Sequence, residues 1–420
     1  MHPLSAKKDI ARKYPFVKVS DMNLPANAVR IQEANNWISE DDLKELRAKP
    51  FARGTVVFAK IGEAIRQNRL RQVVRETIVD NNMMGAVPDI HRVNPRFFFY
   101  ALSQFDFSEI AQGTALPYLT VSTLSGLELE IPPLDEQRAI AHILGTLDDK
   151  IELNRRMNET LEAIARAIFK SWFVDFDPVR SKAEGRDPGL PKHIADLFPD
   201  SFEDSELGEI PKGWEVAELG EITDIIDCLH SKKPERRDIG RPLLQLWNIR
   251  DDGLIDMDDT YFIDESDYEI WISRMEASPG DCVITNVGRV GAVAQMPMGQ
   301  KAALGRNMTG LRCKPAFAFP TFLIECLLSQ AMIDEIARKM DTGTILDALN
   351  VRNIPKLRLA IPKEAIVMYF DNLVRPIRAQ MERNLGEALT LAALRDTLLP
   401  SLISGRLRVK CVDKILEAAI

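Results

Sequence analysis

Side chains able to read base edges recur in two runs of this sequence. Lys60, Arg66, Arg69, Arg71 and Arg75 surround a single Glu63, and Lys232, Lys233, Arg236, Arg237 and Arg241 crowd the approach to a β-rich block. Arg289 and Arg306 lie further along. Arginine and lysine donate to guanine, and asparagine pairs with adenine, across the major groove. Both amine and guanidinium also neutralise phosphate. Asn81 and Asn307, which align in an internal repeat, complete the candidate set. The same residues equally suit a solvated basic face and two turn asparagines, and composition leaves both readings open.

Covalent chemistry has no comparable set. His2, His91, His142, His193 and His230 are scattered, with no H-E-x-x-H pattern and no phosphate-binding loop. Cys228, Cys282, Cys313, Cys326 and Cys411 include no C-x-x-C pair for a structural zinc. Unpaired thiols in odd number suit a reducing cytoplasm. The stretch Asn94-Pro95-Arg96-Phe97 partly resembles the NPP-aromatic motif of amino-methyltransferases, but Arg96 replaces the second proline and no glycine-rich companion accompanies it. Gly288-Arg-Val-Gly291 is too short for a dinucleotide fingerprint and better suits a hairpin. The expectation is a chain without catalytic residues, metal or cofactor of its own.

The elements that must position these groups come from the whole chain. Its 420 residues correspond to two or three domains. A hydrophobic share of 45% is enough for more than one core, which excludes wholesale disorder. No apolar run is long enough to span a bilayer, and the first residues lack a secretory h-region, so a cytoplasmic protein with no membrane contact is expected. A net charge of −8 argues against nucleic acid unless the charges segregate. They do: much of the acidic excess falls in the stretch 179–213 and the run 251–269.

Shifting the sequence by about 230 residues lays it over itself. Gly113–Pro132 covers Gly343–Pro362, Ala52–Gly62 covers Ser278–Gly288, and Tyr14–Met22 covers Arg241–Ile249, all in the same order. Each repeat then runs into a long seam of alternating four and three spacing, the mark of a coiled coil. The first seam is Ile140, Leu144, Leu147, Ile151, Asn154, Asn158, Leu161, Ala165, Ile168 and Trp172. The second is Phe370, Val374, Ile377, Met381, Asn384, Ala388, Leu391, Arg395, Leu398 and Leu402. Asn154 and Asn384 hold equivalent places, where a buried amide costs stability but fixes register. Pro376 should kink the second helix or mark its start. Two amphipathic helices packed separately on their own domains are the plainer alternative.

The expected class is α+β, two αβ domains separated by a long antiparallel two-helix coiled coil. The boundaries are 1–131 for the first domain, 132–178 for a central helix and 179–213 for an irregular surface linker with one short helix. A second domain (214–361), a distal helix (362–409) and a tail (410–420) follow. Repeat two opens with GWEVAELGEITDII before its first matched block, and repeat one has no such opening. The first domain is therefore expected to lack a starting strand, either trimmed or begun further upstream.

The strings IPPLDEQRAIAHILGTLDDKIELNRRMNETLEAIARAIFKSWFVDFDPV (131–179) and LAALRDTLLPSLISGRL (391–407) resemble the shared helical regions of the specificity subunits of type I restriction–modification enzymes. The likeness runs through nearly the whole chain. It implies two target-recognition domains on double-stranded DNA, each reading half of a split sequence. It further implies two methyltransferase (modification) subunits on the helices, with restriction/translocase subunits beyond them. S-adenosylmethionine, ATP and magnesium would reside on those partners. About 36 seam residues span roughly 54 Å, or roughly 16 base pairs, which predicts two half-sites separated by roughly five to eight unread pairs. A coiled-coil adaptor with two protein-binding αβ domains, and an enzyme with a divergent site, are the rival readings.

Overall fold

The computed structural model describes residues 12–113, 115–341 and 347–409. The tail 410–420, with Cys411, and the first eleven residues of domain one lie outside them. Both seams become helices of 40 residues, a central one at Leu134–Phe173 and a distal one at Glu364–Ile403. The chain divides into two units, Met1–Leu153 with Glu387–Ile420, and Asn154–Gly386. Each unit thus takes one half of each helix.

Within the first unit the helix halves pair antiparallel. Lys150 meets Glu387 at 3.3 Å and Asp148 meets Arg395 at 2.8 Å, so the chain positions run in opposite senses. Leu144, Leu147, Leu398 and Leu402 are buried in one core there, with Leu391 packed beside them. Arg395, the charged exception in the seam, is accommodated because the buried Asp148 carboxylate receives it along with the Tyr100 hydroxyl.

In the second unit the two helix halves share Ala165, Phe169, Trp172, Phe370 and Val374, with Ile168 and Ile377 packed beside them. Asn384 donates to the Asn158 side chain at 2.8 Å, and Asn158 donates to the Met381 carbonyl at 3.0 Å. Asparagines thus meet across the seam, Asn384 with Asn158, and Gln380 donates to the Asn384 side chain at 2.7 Å. Asn154 and Met381 are also buried, while Ile151 and Leu161 are half-buried.

Two expectations need correction. Of the two outcomes expected of Pro376, the start is excluded, because the distal helix begins twelve residues earlier and continues through it. There the ring removes one amide donor and crowds the carbonyl four residues before it. Nor is 179–213 an irregular surface linker. It forms helices Asp177–Ala183 and Lys192–Ala195 and a hairpin of Phe202–Ser205 with Gly208–Pro211. Val179, Ile194, Phe198 and Ile210 are buried with Trp172 and Trp214. Burial of those sparse apolar residues outweighs the proline and acid content that suggested a solvated connection.

The repeat is visible strand by strand. Arg12–Val17 pairs antiparallel with Asn36–Ser39 and parallel with Ile78–Val79, and Arg241–Leu244 does the same with Tyr261–Ile263 and Ala302–Leu304. In a second sheet Val56–Ala59 lies between Arg71–Val73 and Met83–Ala86. Its counterpart Cys282–Thr285 lies between Val293–Gln295 and Met308–Cys313. These two central strands are buried at every position, which explains their unbroken apolar runs. Helix Pro95–Leu102 answers to Pro320–Leu328. The Asn94-Pro95 pair begins the former: the Asn94 side chain accepts from the Arg96 and Phe97 amides at 3.0 and 3.1 Å, and proline sits where no donor is needed. Arg96 then reaches Asp149 and the Gly145 carbonyl on the central helix, so this motif fastens a helix.

Candidate nucleic-acid interface

In the second unit the predicted residues converge on one rim. The segment 228–240 leaves strand Thr223–Asp227 as an open loop, with both lysines and both arginines exposed. Lys233 stands over the rings of Tyr261 and Trp247, 4.0 and 5.2 Å from their centroids. Burial, then the neighbouring Arg236, pulls its ammonium pKa down. Arg306 donates to the Ser231 carbonyl at 2.7 Å and so pins the start of the loop. Arg289 caps the short 3₁₀ turn Leu246–Asn248 by donating to the carbonyls of Leu246 and Ile249, and it pairs with Asp251. Trp247 leaves that turn half-exposed.

The acidic run 251–269 faces this basic set. Arg236 pairs with Asp259 at 2.6 Å, and Arg237 with Asp264 at 3.4 Å and Glu235 at 3.1 Å. The rim therefore carries much less free positive charge than its sequence suggests. Lys232 is exposed and has no ion pair with another described residue. Trp247 and Tyr261 belong to the site but were not among the predicted residues. Their only signal is an aromatic on each side of a turn, which reads equally well as core.

The first unit distributes its set differently. Arg66 is exposed and pairs with Glu63 at 3.3 Å, Arg69 is half-buried, and Lys60 closes the central strand, its amide donating to the Asn82 carbonyl at 2.8 Å. Arg71 turns inward: its guanidinium donates to the carbonyls of Leu70 and Met22, and burial, helped by Arg69, pushes its pKa down to about 10. Arg71 is thereby a brace for the turn Val19–Asn23, as Arg289 is for Leu246–Asn248. The two basic clusters do not occupy equivalent places. One follows the central strand of its unit, and the other precedes the first matched strand of its repeat. Asn81 is exposed in a turn. Asn307 sits in a left-handed conformation (φ 64°) with its carbonyl accepting from the Asn286 amide at 2.8 Å, a turn role that asparagine tolerates well.

Asp227, Cys228 and His230 bring potential metal ligands within 4.8 Å of one another. The Asp227 carboxylate already meets His230 at 2.9 Å and Arg274 at 3.6 Å, and burial pushes the Cys228 thiol up. A fixed guanidinium beside a protonated thiol makes this a hydrogen-bonded corner ill suited to a cation.

Residues 3–163 match the family described as the type I restriction modification DNA specificity domain. The MjaIX specificity subunit of Methanocaldococcus jannaschii is 27% identical over 399 residues, which cover 91% of this chain and 84% of that protein. The chain is similar to type I specificity subunits along most of its length. The HindI specificity subunit of Haemophilus influenzae is 26% identical over 421 residues, covering 87% of this chain and 89% of that one. A type I S subunit from M. genitalium shares the fold at a TM-score of 0.54 with 16% identity, covering 95% and 91% of the two chains. The α+β class, with two units and two long helices, is the fold this chain shares with that subunit, and no helix among the described residues is long and apolar enough to cross a membrane.

Proposed function

We propose that this specificity subunit reads a DNA target in two parts, one with each unit, and directs separate methyltransferase and restriction subunits to it. The observation that carries this reading is the duplication itself. Two sheets, a turn braced by arginine and a helix that opens on proline recur in both units, and each unit owns half of each long helix. No catalytic role is assigned to the chain. S-adenosylmethionine, ATP and magnesium belong on the partners, and the complex works in the cytoplasm. Two modification subunits find apolar footing on the helices, where Leu153, Met157, Ile164, Met368 and Leu373 are exposed off the seam.

Sequencing of methylated adenines in cells carrying the whole system is expected to return two short motifs separated by roughly five to eight unread base pairs. A single continuous motif overturns the reading. The internal ion pairs of the basic rim also predict weak binding by the subunit alone, because free cations supply most nonspecific affinity. Specific affinity should emerge only with the modification subunits. Within that complex, replacing Lys232 and Lys233 together by alanine should reduce the slope of log affinity against log salt by about two. An unchanged slope would remove this loop from the DNA face.

A further inference from the structure

One turn is built the same way in both units. The repeat lays Lys18–Met22 over Gln245–Ile249, and burial agrees position by position: two half-buried residues, one exposed, two buried. Each turn is capped from its fourth residue, whose side chain accepts from the amide of the first. Asp21 accepts from Lys18 and Asn248 from Gln245, both at 2.8 Å. The amides of Asp21 and Asn248 donate back to the Lys18 and Gln245 carbonyls at 3.0 and 2.9 Å. Met22 and Ile249 close each turn in an apolar core.

The bracing guanidinium reaches the same carbonyl from different places. Arg71 donates to the Met22 carbonyl at 3.2 Å, and Arg289 donates to that of Ile249. Gln72 and Gln295 fix the alignment of the strands that carry them. Gln72 donates to the Gly54 and Pro95 carbonyls, and Gln295 to those of Gly280 and Pro320. Arg71 stands one residue before Gln72, whereas Arg289 stands six before Gln295. The two arginines are therefore not repeat equivalents, and each unit supplies its own guanidinium to the same point. What the units share is the backbone of the turn, with a single exposed side chain at its tip. That side chain is Ser20 in the first unit and Trp247 in the second.

Discrimination requires side chains held on a fixed frame, and a frame kept in both units with a different residue at its tip supplies one. Trp247 is 49% exposed and donates its Nε1 hydrogen to the Asp259 carbonyl at 3.0 Å, so its polar edge is committed and its ring carbons remain. An apolar side chain in the major groove meets the methyl group of thymine. Ser20 offers a hydroxyl, which donates to or accepts from a base edge. Lys233 over the Trp247 ring puts a cation for phosphate beside that tip. Resting on the reading that each unit binds DNA, we propose that this turn carries one specificity-determining residue per unit. Ser20 hydrogen-bonds a base edge in one half-site, and Trp247 packs on a thymine methyl in the other.

The test titrates the subunit, assembled with its modification subunits, against duplexes in which each base pair of the two half-sites is varied in turn. Trp247→Ala should reduce the preference at one pair of one half-site from about tenfold to near parity, and Ser20→Ala should do the same at one pair of the other. At every remaining pair the profile should match that of the unaltered complex. Deoxyuridine in place of the contacted thymine removes only the methyl, so it should weaken the unaltered complex and leave Trp247→Ala indifferent. Trp247→Phe keeps a ring and should keep the preference, which separates a lost contact from lost folding. A profile unchanged by either alanine variant overturns the role of that residue. Equal weakening of every duplex also overturns it, because a turn that only supports the fold singles out no base pair. An unaltered complex without a two-part preference overturns instead the reading of DNA recognition on which the proposal rests.

Discussion

Replacing Arg378 by alanine is expected to destabilise the second unit by about 3–5 kcal/mol, measured by urea unfolding followed through tryptophan fluorescence. Arg378 and Glu325 are 4% and 2% exposed and meet at 3.0 Å, and Arg378 also donates to the Gly253 carbonyl at 2.8 Å. Burial pushes the Glu325 carboxyl up, while Arg378 works in the opposite direction. Without the guanidinium, the carboxylate must ionise in an apolar site or take a proton, and the Gly253 carbonyl loses its donor. Each is a desolvation penalty, and that penalty sets the size of the loss. Changing both partners together, Arg378→Met with Glu325→Leu, should recover most of the stability, since the cost comes from an unpaired charge. A double variant as unstable as the single one would show that the packing around Gly253 matters more than the pairing.

Lengthening both helices by three heptads, inserted after Leu153 and after Gly386, should widen the unread gap in the methylated motif by about nine base pairs. Twenty-one residues add about 31 Å of helix, against about 3.4 Å per base pair. Nine pairs come close to one turn of about 10.5 pairs, so both half-sites stay near the same face of the duplex. One heptad in each helix shifts the gap by about three pairs, which rotates one half-site by roughly 100° relative to the other. That variant should abolish methylation of every split motif. The insertions keep the four-three spacing, so pairing around Asn158 and Asn384 is retained. An unaltered gap in the three-heptad variant would refute the reading that the paired helices set the spacing of the half-sites. Adenine methylome sequencing reads both results.

Much of this architecture was legible in the sequence because it rests on periodicity. Leu144, Leu147, Val374, Met381 and Leu398 recur at helical spacing, and a seam that long cannot be satisfied inside one small domain. The duplication was legible because turn glycines and buried strands, such as those in Gly54–Gly62 and Gly280–Gly288, tolerate few substitutes. The stretch 179–213 was misread because composition weighs every residue equally, whereas Val179, Ile194 and Phe198 decide the packing. The candidate interface was only half legible. A sequence shows that Arg236 and Arg237 are basic, but not that Asp259 and Asp264, more than twenty residues away, will face them. Arg71 looked like a reader and became a brace, because a guanidinium can satisfy backbone carbonyls as readily as phosphates. Nothing local to residue 71 distinguishes those fates.

The loop 228–240 has one more consequence. Its four basic side chains are exposed on a backbone that belongs to no strand or helix from Cys228 to Gly240. Trypsin should therefore cut there well before it reaches the sheets. The nicked unit should stay assembled, because Thr223–Asp227 and Arg241–Leu244 are hydrogen-bonded into sheets on either side of the cut. Digestion rate at the three bonds after Lys232, Arg236 and Arg237 (Pro234 protects the one after Lys233) thus becomes a gauge of occupancy: slower scission once the assembled complex sits on its target would locate the loop beneath the duplex without any label.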